Sequence, residues 1–298
     1  MQENTIIARG YAAVGHYEEG LTAGERAGFE RDNAEYRAYR AAKDAKATKP
    51  AKTAMPALHE PYTAFNTTLL KIALFSCNER GARKHFTEEE PNRLYSIDGD
   101  EVVFVGEELR QDDRAVLLAL IKMASGKELA AALTFQPHPF VREVLGWGDG
   151  GLNVKKLGEC LHRLKKAAEV QVKYAKGGKG TLSFVSDYDT PAEGRRGEWT
   201  VWLAPRMLEV FAKRVTYLAV ADCKGLTGLQ AWLYGFVNAD PCKSPFALAD
   251  MLAWSGKSSV QKEFNRALGE SLDELKKKGL VVDFVMSRTE VTITRVPF

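Results

Sequence analysis

Lys155, Lys156, His162, Arg163 and Lys166, with Glu159 among them, share one side of a helix turning about 100° per residue. Val154, Leu157, Leu161, Leu164 and Ala168 form a narrow apolar stripe on the other side. Residues 150 to 180 hold eight Lys/Arg against two Glu, a local charge of +6. A row of ammonium and guanidinium groups on a helix can neutralise phosphates, and Lys or Arg can also reach a guanine edge in a major groove. Lys176 and Lys179 flank Gly177-Gly178 at the tip of a hairpin predicted from two period-two runs, Val170–Tyr174 and Leu182–Phe184. Such a tip is placed to touch a neighbouring backbone.

A second long helix is predicted over residues 258–278. It turns Val260, Phe264, Leu268, Ser271, Leu272 and Leu275 inward, and Ser259, Lys262 and Arg266 outward in its first half. Ser258 and Ser259 open it, and the free N–H groups of a helix N-terminus favour anions. Glu270, Asp273 and Glu274 follow, so contact with a polyanion falls to the N-terminal half. Lys276-Lys-Lys278 complement the dipole at the other end.

Other chemistries fail on spacing. Gly256-Lys257-Ser258 resembles the tail of a phosphate-binding loop, but Met251 stands where that loop needs glycine, and no strand leads into it. His16, His59, His85, His138 and His162 are isolated, so no His-x-His metal pair serves a DNA-nicking tyrosine. No HExxH, G-x-S-x-G or Cys/His pairing occurs. Glu88-Glu-Glu90 reads as a solvated loop, and Trp147 and Trp254 as core plugs. The expectation is no enzyme, no cofactor and no metal.

The elements that must carry these residues come in two copies of one order. In the first, Tyr95–Ile97 and Val102–Val105 flank an Asp98-Gly99 turn. A helix over 112–125, a strand over 133–135, a short helix over 139–146, the long basic helix over 153–169 and the hairpin follow. In the second, helices are expected over 226–238 and 246–253, then the long helix and a hairpin of 280–285 with 291–296. Val144-Leu-Gly-Trp147 matches Met251-Leu-Ala-Trp254, and Leu161-x-x-Leu164 matches Leu272-x-x-Leu275. Helix, strand, helix, turn, helix and hairpin make a winged helix-turn-helix. The predicted class is α+β: two tandem winged helix-turn-helix domains, 61–205 and 206–298, after a helical or flexible extension over 1–60. That extension has a capped helix from Thr22 to about residue 47 and an Ala/Lys/Pro linker from Ala41 to Pro56.

Composition agrees with a folded, cytoplasmic protein. The 298 residues are 45% hydrophobic, the longest apolar run is the seven residues Ala115–Ile121, and four scattered cysteines form no CxxC. Met-Gln-Glu-Asn does not open a signal peptide. The charge of +3 argues at first sight against nucleic acid, but it averages unlike segments. Residues 1–60 carry nine charges of each sign, 61–205 twenty of each, and 206–298 thirteen positive against ten negative.

Ala73-Leu-Phe75, Leu94-Tyr-Ser-Ile-Asp-Gly99, Val105-Gly-Glu-Glu-Leu-Arg110 with Asp112-Asp113, Leu145-Gly-Trp147, Glu159-Cys-Leu-His-Arg-Leu164 and Ser271-Leu-Asp-Glu-Leu-Lys-Lys-Lys-Gly-Leu280 resemble the TrfA-type plasmid replication initiators. The resemblance spans about residues 65 to 285. It implies a non-enzymatic initiator that binds origin direct repeats (iterons), helps open the duplex and recruits the host replicative helicase and initiator proteins. It also implies a homodimer in balance with an active monomer, and tandem domains reading two successive major grooves of double-stranded plasmid origin DNA. The family's Gln-Leu-x-Leu-Phe segment, tied to the sliding clamp, has no match upstream of Phe75. The narrower alternative is a winged-helix transcriptional regulator, an autorepressor without initiator activity.

Overall fold

In the computed structural model, residues 54–296 are described apart from 98, 149, 168–169, 174, 176, 192–196, 212–213 and 243. The expected helix over 22–47 and most of the linker therefore lie outside the described residues.

Strand β1 (Tyr62–Asn66) runs into a one-turn helix α1 (Thr67–Lys71), capped by the Asn66 side chain, which accepts from the Leu69 N–H at 3.2 Å. Short strands β2 (Phe75–Ser76) and β3 (His85–Phe86) follow. The first strand of the hairpin of β4 (Asn92–Tyr95) and β5 (Glu101–Phe104) ends at Tyr95, where the sequence predicts it to begin. The chain therefore reverses over 96–100, of which Asp98 lies outside the described residues. Strands β6 (Gly106–Glu107) and β7 (Leu109–Arg110) lead into helix α2 (Gln111–Ala124), whose Asp112 and Asp113 occupy the first turn, where acids suit the helix dipole. The Arg110 N–H donates to Asp113 at 2.8 Å, and Val116, Leu117, Leu120 and Ile121 are fully buried.

Strand β8 (Leu133–Phe135) precedes the expected short helix, which is one turn, Pro137–Pro139, continued by a widened π turn, Phe140–Val144. The basic helix, α3, spans Gly151–Lys166, and β9 (Val170–Lys173) pairs with β10 (Lys179–Leu182) in a hairpin. Its second strand begins three residues before the expected Leu182–Phe184, so Lys179 stands in the ladder opposite Lys173 and not at the turn tip. That hairpin does not stand alone: β9 also pairs with β5, giving a four-stranded sheet in the order β10-β9-β5-β4. Strands β11 (Val185–Asp189) and β12 (Trp199–Leu203) make a second sheet with β8 at its edge.

After a 3-10 segment (Pro205–Phe211), β13 (Val215–Ala219) pairs antiparallel with β1. A short turn of helix, α4 (Val220–Cys223), leads to α5 (Gly228–Ala239). Then come β14 (Phe246–Ala247), α6 (Leu248–Ser255), the second long helix α7 (Gln261–Lys277), and the hairpin β15 (Val281–Met286) with β16 (Glu290–Arg295). The order of elements thus repeats. The pairing differs, because β14 joins its own hairpin through β16 whereas β8 joins β12.

The described residues form one compact unit, and a single buried cluster runs from Met55 to Ile293. Its largest members are Trp232, Phe65, Phe75, Phe104, Phe184, Phe236 and Phe264. The β1–β13 ribbon and the packing of α2 on α5 join the two copies. Between those helices the buried Arg114 guanidinium donates to the Ala231 carbonyl, and burial lowers its pKa to about 10. Trp254, expected as a core plug, is only partly buried, stacked at 6.0 Å on Phe236 at the edge of the cluster. Trp147 is partly buried against the same cluster.

Candidate nucleic-acid interface

Helix α3 buries Leu157, Cys160, Leu161 and Leu164, as its period requires, and leaves Lys155, Glu159, His162 and Lys166 exposed. Arg163 departs from the helical wheel. Its side chain is 8% exposed, and its Nε donates to Asp113 Oδ1 at 2.9 Å. The physical reason lies on α2: Asp113 is fully buried, and a carboxylate charge there requires a cation beside it. Burial pushes the Asp113 pKa up and the adjacent Asp112 adds to it, and the group stays above its ordinary value although Arg83 and Arg163 act in the opposite direction. Burial opposes the charge on Arg163 too, yet Asp113 holds its pKa above the ordinary value. Arg163 is a strut of the fold and not a surface contact.

The remaining cations of this face divide by what they already touch. Lys156 sits 3.4 Å from Asp112 and 4.4 Å over the Trp147 ring, so its charge is largely engaged. Among the described residues, Lys155 and Lys166 make no ion pair. The His162 ring nitrogen Nδ1 lies 3.3 Å from the Tyr188 hydroxyl. Lys155 and His162 line an open cleft of about 700 Å³ together with Arg83, Glu107, Glu159 and the edge of Arg163. At the hairpin, Lys179 is exposed opposite Lys173, which is tied to Glu101 at 2.7 Å; Lys176 lies outside the described residues.

The second long helix begins three residues later than its sequence suggests. Val260 is its N-cap, in extended conformation (φ −72°, ψ 152°) and 64% exposed, so it precedes the apolar stripe instead of joining it. Phe264, Leu268, Ser271, Leu272 and Leu275 do face inward. Ser258 and Ser259 therefore belong to the turn before the helix. Ser258 is exposed, and the Ser259 hydroxyl is buried without a partner. Lys262 is exposed and unpaired among the described residues; Arg266 is exposed and holds Glu270 at 2.7 Å. Lys276 and Lys277, in the last turn of the helix, pair with Asp283 and Glu274, each at 2.7 Å.

One set of residues ties both helices together, and helical periodicity did not single it out. Gly106-Glu-Glu-Leu-Arg110 with Asp112-Asp113 forms a polar frame. Glu108 accepts from the Ser76 hydroxyl at 2.5 Å and from Asn78 at 2.8 Å, and pairs with Arg110 at 3.0 Å. Burial alone would raise the Glu108 pKa, but these hydrogen bonds outweigh it and leave the group below its ordinary value. Asn78 then reaches the turn before α7, donating to Gly256 O at 3.2 Å and accepting from the Ser258 N–H at 2.9 Å. At the other end Arg83 donates to Asp113 at 2.9 Å and to Asp112 at 3.1 Å, below α3. Asp112, Asp113 and Cys160 lie close enough to suggest a metal site, but Arg83, Lys156 and Arg163 already supply the positive charge.

Among the described residues no helix is long and apolar enough to cross a membrane. No family model and no curated protein matches this sequence. In fold the chain is similar to the crystal structure of domains 2 and 3 of RctB, at 12% identity with a TM-score of 0.50, covering 77% of this chain and 98% of that one.

Proposed function

We propose that this chain is a DNA replication initiator of the plasmid, iteron-binding kind, a binding protein and not an enzyme. The observation that carries the reading is the repeated helix–strand–helix–turn–helix–hairpin order, each copy presenting one long helix with an exposed cationic strip. Read as two winged helix-turn-helix units, the copies lay α3 and α7 in successive major grooves of one repeat. Lys155, Lys166 and His162 serve the first groove, Lys262 and Arg266 the second, and the exposed Lys179 at the end of the hairpin touches the flanking backbone. The fold similarity to RctB, a chromosome-2 replication initiator of Vibrio, supports this reading, as do the TrfA-like motifs that build the frame beneath both helices. Recruitment of a host helicase and a dimer–monomer balance belong to the same proposal.

A footprint of the purified protein on DNA flanking its own gene tests it. Evenly spaced protected repeats, and replication of an origin plasmid when the protein is supplied in trans, are the expected results. Protected repeats without such replication would leave the autorepressor instead, and absence of any sequence-specific protection would overturn DNA binding altogether.

A further inference from the structure

The segment from Cys77 to Lys84 is an irregular run between β2 and β3, which begins at His85, yet it is fastened along its length. The Cys77 N–H donates to Ser255 O at 3.0 Å, and Asn78 is bonded to Gly256 and Ser258. Arg110 donates to the carbonyls of Gly81 and Ala82 at 3.2 and 3.1 Å. Arg83 is held by Asp112 and Asp113, and the Lys84 carbonyl accepts from the Glu108 N–H at 2.8 Å. One end therefore sits on the turn that opens α7. The other reaches the cleft shared with Lys155 and His162 on the outer face of α3. From Asn78 to Arg83 the chain spans at most about 18 Å fully extended.

What this fastening leaves outward is mostly basic: Arg80, Lys84 and His85 are exposed, and no described residue pairs with Arg80 or Lys84. The one acid of the run, Glu79, is exposed as well, with its carboxyl near Gly228 at the N-terminus of α5, so the outward charge of the run stays positive. A loop that only connected two short strands would not need five polar anchors. Holding the backbone while freeing the cations is what preorganised contact with a polyanion requires.

We propose that residues 79–85 are a third DNA-contacting element, a strap lying across the phosphate backbone between the two major grooves entered by α3 and α7. It rests on the functional reading above. Successive major grooves are about 34 Å apart, and a segment of this length covers the middle of the interval, at the minor groove, without spanning it. Arg80 and Lys84 neutralise phosphates there, a contact that carries no base sequence.

The full-length double variant R80A/K84A, compared with wild type on one repeat, tests the strap. Each phosphate contact contributes about 0.9 to the slope of log Kobs against log salt, so the slope is expected to become shallower by about two. Affinity should fall by a similar factor on specific and on unrelated DNA. Hydroxyl-radical protection should disappear from the minor groove between the two major-groove footprints, which themselves remain. The charge-preserving R80K/K84R should keep the wild-type slope. Unchanged slope and protection in R80A/K84A, with wild type binding the repeat, would overturn the strap alone. Failure of wild type to bind any repeat would overturn the functional reading itself.

Discussion

Lys155 and Arg163 lie on the same helix and carry the same charge, but only one is available to a ligand. Removing Arg163 leaves Asp113 buried with Arg83 as its remaining cation, so R163A should destabilise the protein by about 3 kcal/mol in a urea titration. K155A/K166A should leave the urea midpoint nearly unchanged, flatten the salt dependence of DNA binding by about two contacts, and weaken all sequences alike. The distinction was not legible from periodicity, because Asp113 arrives from 50 positions earlier in the chain and no local pattern announces it. Glu108 makes a pH-dependent claim. Its folded pKa lies below the ordinary 4.5, so its contribution is present above that range and is lost as pH falls through the folded value. The clamp from Asn78 to Ser258 should loosen on acidification below about pH 4.5, seen as faster hydrogen exchange at the Ser258 amide. E108Q should flatten that dependence.

At the scale of elements, the turn before α7 does more than reverse the chain. Gly256 has φ +62°, and a Cβ there would meet the Ala73 Cβ at 2.7 Å and the Ser76 Cβ at 3.2 Å. Gly279, after the same helix, has φ +72° with open space around it. G279A should therefore cost only the left-handed backbone penalty, about 1 kcal/mol. G256A should cost about 3 kcal/mol in thermal unfolding and also displace α7, lowering DNA affinity in the folded protein. K262A/R266A should weaken protection of one half of each repeat and leave the half served by α3 intact. Helix and hairpin order was legible because it is local: apolar stripes of period 3.6, glycine turns and alternating strands. The pairings were not. Choosing β12 over the hairpin as partner of β8 depends on contacts more than 60 residues apart, with Thr134 facing Thr200 across the ladder. The start of α7 escapes the pattern because Val260 is apolar and falls in phase with the stripe, while its extended backbone makes it the N-cap, so the helix begins at Gln261.

For the whole molecule, the two copies share one core, so a boundary near residue 206 marks a repeat in sequence and not a seam in packing. Urea unfolding followed by tryptophan fluorescence and by far-ultraviolet circular dichroism should give one coincident transition. Two separated transitions would show that α2–α5 packing and the β1–β13 ribbon do not couple the copies. Net charge takes on a different meaning at this scale. The +3 balance hides a division of labour in which Asp112, Asp113 and Glu108 spend their charge inside the frame, leaving lysines free at the surface.

The β1–β13 ribbon also sets a schedule for synthesis. Thr67 bonds to Thr216, 149 residues further along the chain. At about 5–20 residues per second a ribosome needs roughly 7–30 s to make that interval. Throughout it β1 is an unpaired strand, a state that favours capture by chaperones or by other chains. Closing so distant a pair also raises the contact order and slows folding. A nascent chain arrested before Val215 should therefore remain protease-sensitive at residues 62–66, and become resistant only once β13 has left the exit tunnel.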